Sequence, residues 1–120
     1  MTTIRTLDET AARLVKQRAD WRCEACGREC GQGREYQAHW AHHFGRAHKA
    51  IRWSLKNAAC LCAPCHQRHT DHPAEHWAFV ERLIGAAALA DLRREAQRIV
   101  RWRDDDLREI LRALQADERY

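Results

Sequence analysis

The chain has 120 residues and a net charge of +4 with histidine neutral, which is room for one compact domain. No apolar run is long enough to cross a bilayer, and the opening MTTIRTLDET lacks the apolar centre of a secretory signal. A membrane partner is therefore not expected, and a cytoplasmic location is. In that reducing setting the six cysteines read as metal ligands before they read as disulfides.

A pI of about 8.9 fits nucleic-acid binding without requiring it. The distribution of charge is more informative. Between Arg28 and Arg68 the only acids are Glu29 and Glu35, set among many Lys and Arg, and most of the histidines fall in the same stretch. From about Leu89 onward the two signs nearly balance.

The first predicted element is a helix from about Leu7 to Asp20. Leu7, Ala11, Leu14, Val15 and Arg18 follow helical spacing, with Asp8 or Thr6 as the expected cap. Residues 21–72 show little period and are expected to be irregular, organised by metal. Helix resumes from Pro73, which suits a first turn, and is expected to run in pieces to Tyr120. Trp77, Val80, Leu83 and Ile84 form one apolar stripe that Gly85 should end. Leu89, Leu92, Ala96, Ile99 and Val100 form a second. Asp104, Asp105 or Asp106 should cap a last helix carrying Leu107, Ile110, Leu111 and Leu114.

The strongest chemical signal is a cysteine quartet. Cys23-Glu-Ala-Cys26 and Cys62-Ala-Pro-Cys65 are two C-x-x-C pairs, and this spacing lets two thiolates of one turn reach the same ion at ~2.3 Å. Together they supply the four sulfurs of a closed tetrahedral Zn²⁺ site. A redox role is disfavoured, because such a pair normally follows a strand in a βαβ pattern. Cys30 is a competitor for Cys26. Cys60, alternating with Leu61, is expected to be a buried strand residue.

The second signal is a set of histidines between and just beyond these pairs. His42 and His43 are adjacent, Asn57 follows, and His66 abuts Cys65 with His69 one helical turn later. Neighbours on a strand face opposite ways, so one of His42 and His43 is able to bind a metal while the other meets a different partner. On a helix, His66 and His69 share a face. Phosphodiester hydrolysis needs a base to activate water and a cation to stabilise developing charge, and this set offers both.

In this order, Cys-x-x-Cys, His42-His43-Phe44, Asn57-Ala-Ala-Cys-Leu-Cys62 and Cys65-His66 resemble the HNH endonucleases of the ββα-metal fold. The likeness is to the small phage and bacterial type with paired zinc knuckles, and it spans roughly Asp20 to Phe79. The stretch from Gly45 to Trp53 and the placement of Pro73 belong to the same likeness. It implies that His43 is the general base and that Asn57 holds the catalytic loop and orients the base. His42 and His66 would be ligands of a catalytic divalent ion, Mg²⁺, Mn²⁺ or another. Cys23, Cys26, Cys62 and Cys65 would hold structural zinc. The implied reaction leaves a 5′-phosphate. Relatives often carry a histidine where Thr70 stands; either His69 or His72 substitutes, with His69 preferred, or fewer protein ligands hold the ion and water completes its shell.

Arg46, His48, Lys49 and Arg52 lie between the base and Asn57 and are candidate DNA phosphate contacts. Trp40 and Trp53 are expected in the core. His39 has no assigned ligand role, and His76 is expected at the surface. The expected fold is small α+β: a zinc-stapled ββα-metal, treble-clef-like core flanked by an N-terminal helix and C-terminal helices. Residues 1–80 would form the nuclease domain with its N-terminal helix. Residues 81–120 would form a helical extension that either packs on the same domain or pairs with a second copy into a homodimer. The expected function is a metal-dependent DNA endonuclease. The alternative is a non-catalytic zinc-stabilised module that binds DNA or protein. His43 and Asn57 separate the two, since a binding module has no use for a base beside a metal ligand.

Overall fold

The computed structural model describes residues 2–31 and 37–117; residues 1, 32–36 (among them Glu35) and 118–120 (among them Tyr120) lie outside the described residues. Helix α1 spans Ile4–Arg18, strand β1 Ala38–His42, strand β2 Ala58–Cys62, helix α2 Ala63–Asp71, α3 Pro73–Ile84, α4 Ala86–Ala96 and α5 Asp104–Asp117. Two short 3-10 turns, Lys49–Ile51 and Leu55–Asn57, lie in the loop that joins the strands.

The strands pair antiparallel, with Ala38 opposite Cys62, Trp40 opposite Cys60 and His42 opposite Ala58. α2 begins on the residue after β2. Every residue of β2 is buried. Leu61, Cys60 and Ala59 join Val15 of α1, Phe79 and Val80 of α3 and Leu89 of α4 in the main core. A second cluster unites Leu7, Ala11 and Leu14 of α1 with Trp53 and with Leu107 and Leu114 of α5. A third joins Ile51 to Leu92 and Ala96 of α4. The apolar stripes of α4 and α5 are thus covered by the same chain. The structure is a small α+β body, and no helix among the described residues is long and apolar enough to cross a membrane.

Local chemistry sets most helix ends. Thr3 caps α1 by accepting from Thr6 N–H at 3.1 Å, rather than Asp8 or Thr6. Asp8 instead accepts from Arg52 Nη2 at 2.8 Å and from Trp53 Nε1 at 2.8 Å. This ties α1 to the interstrand loop across 44 residues of sequence. Gly85, at φ +89°, ends α3 in a conformation that costs a side chain dearly. Asp106 accepts from Arg103 N–H at 2.9 Å at the start of α5. Helix α4 stops at Ala96. Ile99 is therefore not on its apolar face but fully exposed, because the turn after Ala96 breaks the helical spacing.

Candidate functional site

The two ends of the hairpin carry different chemistry. At the Ala38–Cys62 end, Cys23, Cys26, Cys62 and Cys65 place their sulfurs all within 4.8 Å of one another. The Cys26 and Cys62 sulfurs are 3.8 Å apart. A tetrahedron with arms of ~2.3 Å has edges of about 3.8 Å, whereas a disulfide would need about 2.05 Å. The four thiols fit a structural ion such as zinc. The first knuckle is a tight turn: Gly27 N–H donates to Cys23 O and Cys23 N–H to Arg28 O, each at 2.8 Å. Burial pushes the Cys23 thiol up, but backbone N–H groups of Cys62, Cys26 and Ala25 more than offset this and bring it down to about 7. Burial and the neighbouring thiols hold Cys62 and Cys65 above the usual thiol range. One thiolate forms readily at this site; four need a cation. Cys30 and Cys60 are fully buried beside the quartet and are not members of it.

Two side chains that the sequence reading did not single out clamp this end to the hairpin. Glu24 accepts from Cys60 N–H at 2.9 Å, while its own N–H donates to Cys60 O at 2.8 Å. Arg18 donates to Leu55 O at 2.7 Å, Ala58 O at 2.9 Å and Glu24 at 3.0 Å. Arg18 reads only as part of the α1 repeat and Glu24 only as a spacer between two cysteines, because their backbone partners lie 36–40 residues on.

Histidines gather around a cleft of about 220 Å³ near the other end. Its walls include His42 and His43, His66, His69 and Thr70 of α2, and His76 of α3. The alternation of β1 separates Trp40 from His39 and Ala41, and where the strand ends His42 and His43 both reach the cleft. His42 Nε2 lies 3.1 Å from Arg52 O. A carbonyl only accepts, so His42 carries its proton on Nε2 and its Nδ1 bears a lone pair. His66 Nδ1 meets His39 Nδ1 at 2.8 Å. His43 Nδ1 meets His76 Nε2 at 3.1 Å, and His76 Nδ1 meets His69 Nδ1 at 2.9 Å. His43 Nε2 is fully buried without a hydrogen-bond partner. His39, His42, His43, His66 and His69 are thus each held by one nitrogen, and His76 by both.

Burial is the first cause of depressed basicity throughout. It brings His43 down to about 3, helped by positive charge at His76, Arg18, His42 and His69. It brings His76 to about 4, helped by His69 and His66. His42, His66 and His69 are lowered for the same leading reason. These imidazoles are neutral near pH 7 and offer lone pairs, the form that ligates metals or takes protons.

Asn57, fully buried, stitches the loop that leaves β1. Its Oδ1 accepts from Phe44 N–H at 2.8 Å, and its Nδ2 donates to Phe44 O at 2.9 Å and Ile51 O at 3.2 Å. His43 N–H in turn donates to Asn57 O at 2.8 Å. Asn57 therefore holds His43 through its own carbonyl and the backbone just after His43 through its side chain.

The four candidate phosphate contacts divide. Arg46 and Lys49 are exposed, with the Arg46 guanidinium 5.9 Å over the Trp40 ring. Arg52 is engaged with Asp8. His48 Nδ1 lies 3.2 Å from Ala96 O at the end of α4. His76 is buried, not at the surface, and His39 is joined to His66. Among the described residues, only the four cysteines bring three or more potential ligand atoms together. The cleft histidines line one space without forming a closed cage. No protein-family model matches the chain, and neither a curated protein nor a solved structure does.

Proposed function

We propose that this protein is a metal-dependent DNA endonuclease of the HNH type, with a structural zinc at the cysteine quartet and a hydrolytic centre in the histidine cleft. The observation that carries the reading is the placement of His43. It follows a short antiparallel strand, its loop is pinned by the Asn57 side chain, and its buried Nε2 has no partner in a cleft that also holds His42, His66 and His69. An orphaned buried nitrogen costs about 1–3 kcal/mol. Such an orphan calls for a bound water, an ion or a chemical task at that atom.

In this reading His43 takes the proton of the attacking water at Nε2. Its low basicity keeps it unprotonated before reaction, and an anionic phosphodiester entering the cleft raises it. His42 Nδ1 and His66 are the side-chain donors for the catalytic ion. Each is oriented through its other nitrogen, as ligating histidines commonly are. Held there, a divalent ion such as Mg²⁺ or Mn²⁺ supplies positive charge for the phosphate and its departing oxygen. The small number of protein donors suits an ion that keeps much of its water. Asn57 holds the loop so that base and ligands stay in register. Arg46 and Lys49, exposed on the loop that follows β1, hold flanking phosphates, whereas Arg52 and His48 brace the loop from within.

The open donor set also favours a second reading. A domain with only the cysteine site complete would serve as a non-catalytic zinc module that binds DNA or protein. Supercoiled plasmid separates the two. The zinc-loaded protein should nick or linearise it when Mg²⁺, Mn²⁺ or Ni²⁺ is added, and EDTA should stop the reaction. DNA binding without cleavage under any of these ions would select the binding module.

A further inference from the structure

His76 belongs to no motif in the sequence, yet it sits between two of the proposed site residues. The residue is 9% exposed. One ring nitrogen faces His43 Nδ1 at 3.1 Å and the other faces His69 Nδ1 at 2.9 Å. A hydrogen bond between two ring nitrogens needs one proton between them, and a neutral imidazole carries one N–H. His76 therefore donates from one nitrogen and accepts at the other.

Only two arrangements satisfy both contacts with all three rings neutral. In the first, His43 Nδ1–H donates to His76 Nε2 and His76 Nδ1–H donates to His69 Nδ1. His43 then bears a lone pair on Nε2, and the proton of His69 sits on Nε2. In the second, both directions reverse, and the proton of His43 sits on Nε2 while His69 bears the lone pair there. A protonated His76 would donate both ways and leave neither ring a lone pair at Nε2. In no case do His43 and His69 both present a bare Nε2. The buried, partnerless His43 Nε2 decides between the two, because a buried N–H without an acceptor is the rarer and costlier orphan.

We propose that His76 is a positioning residue that accepts the Nδ1 proton of His43 and donates its own to His69, so that His43 presents a bare Nε2 and His69 presents an N–H. The tautomers follow from the geometry alone; their use in catalysis rests on the endonuclease reading. It follows that His69 is not a metal ligand while His43 acts as base. It is instead a hydrogen-bond donor placed for a phosphate oxygen.

The test is two-bond ¹H–¹⁵N correlation of the full zinc-loaded chain labelled with ¹⁵N-histidine, recorded near pH 7.5. His43 should appear as the Nδ1–H tautomer and His69 as the Nε2–H tautomer. In His76→Phe, which keeps the ring and removes both nitrogens, His43 should move to the Nε2–H form that imidazole prefers in water. Nicking should fall by about tenfold or more, the scale of a misdirected base, with the metal requirement unchanged. His76→Gln, able to accept from His43, should recover part of that loss. A wild-type His43 in the Nε2–H form, or one unmoved by His76→Phe, overturns the proposal. Should His76→Phe not fold, the wild-type tautomers still decide it. Failure of the endonuclease reading shows separately, as plasmid left intact by the wild-type protein.

Discussion

The sulfur end and the imidazole end of one hairpin solve different problems. At the sulfur end four donors of one kind converge within 4.8 Å, and every ligand position around a tetrahedral ion is filled. At the imidazole end six rings are tied to one another or to backbone, five by one nitrogen and His76 by both, and no three of their ligand atoms converge. A filled coordination sphere has no room for a substrate, so it serves the fold. An open one leaves lone pairs for a further ligand. Sharing a two-stranded ladder, the two ends couple: what loosens the sulfur site should scatter the histidines, and the reverse should not hold.

The largest expected effect follows from that asymmetry. Cys62→Ser, or zinc removal by a strong chelator, should abolish the cooperative thermal transition. Structural zinc contributes on the order of 10–16 kcal/mol in comparable peptides, against a typical net stability of about 5–15 kcal/mol. Zinc stoichiometry beside a melting curve tests this, and an unchanged melt would break the comparison. Asn57→Ala comes next. It removes three hydrogen bonds at a fully buried position and should cost on the order of 3 kcal/mol by chemical denaturation, with zinc retained. Loss of zinc in that variant would mean that the two ends are not separable.

Smaller effects sharpen the division among basic residues. Arg52→Ala strands a half-buried Asp8 carboxylate, which the Arg52 and Trp53 hydrogen bonds hold below its usual range against the opposing effect of burial. It should lower stability by about 1–2 kcal/mol. Arg46→Ala should leave the melt within ~0.5 kcal/mol and weaken DNA binding, lowering its salt slope by about one phosphate's worth. Equal effects on folding from both variants would contradict the assignment. Acid should also discriminate between the ends. Above pH 6.5, His43 and His76 are neutral whether folded or not. Below it the unfolded chain takes protons that the native rings, at about 3 and about 4, refuse. Stability should therefore fall as pH drops from 6.5 toward 4, by up to ~1.4 kcal/mol per pH unit for each ring. His76→Phe should fall less steeply than wild type over the same range; an identical slope would remove His76 from the account.

What was legible in the sequence was what short spacing encodes. The apolar repeat of α1, the stop at Gly85 and the paired cysteines all rest on contacts within a few residues. The hairpin was legible only through the family resemblance and the strand expected at Cys60, not through period. AHWAH and AACLC lack clean alternation, because β2 is buried throughout and so shows no polar face. The cap of α1 was misplaced for a related reason: Asp8 looks like a local cap but serves a partner 44 residues away. His76 looked like a surface residue of an amphipathic helix, since its partner His43 lies 33 positions earlier. The cysteines were readable as a pair of pairs; the imidazole contacts exist only once the chain closes.

The most direct test of the proposed hydrolytic centre is single-turnover nicking of supercoiled plasmid by zinc-loaded wild type and His43→Ala at saturating Mg²⁺ or Mn²⁺. The account predicts that the variant keeps its zinc and its fold and loses at least ~10²-fold in rate. A variant that nicks as fast as wild type would contradict it.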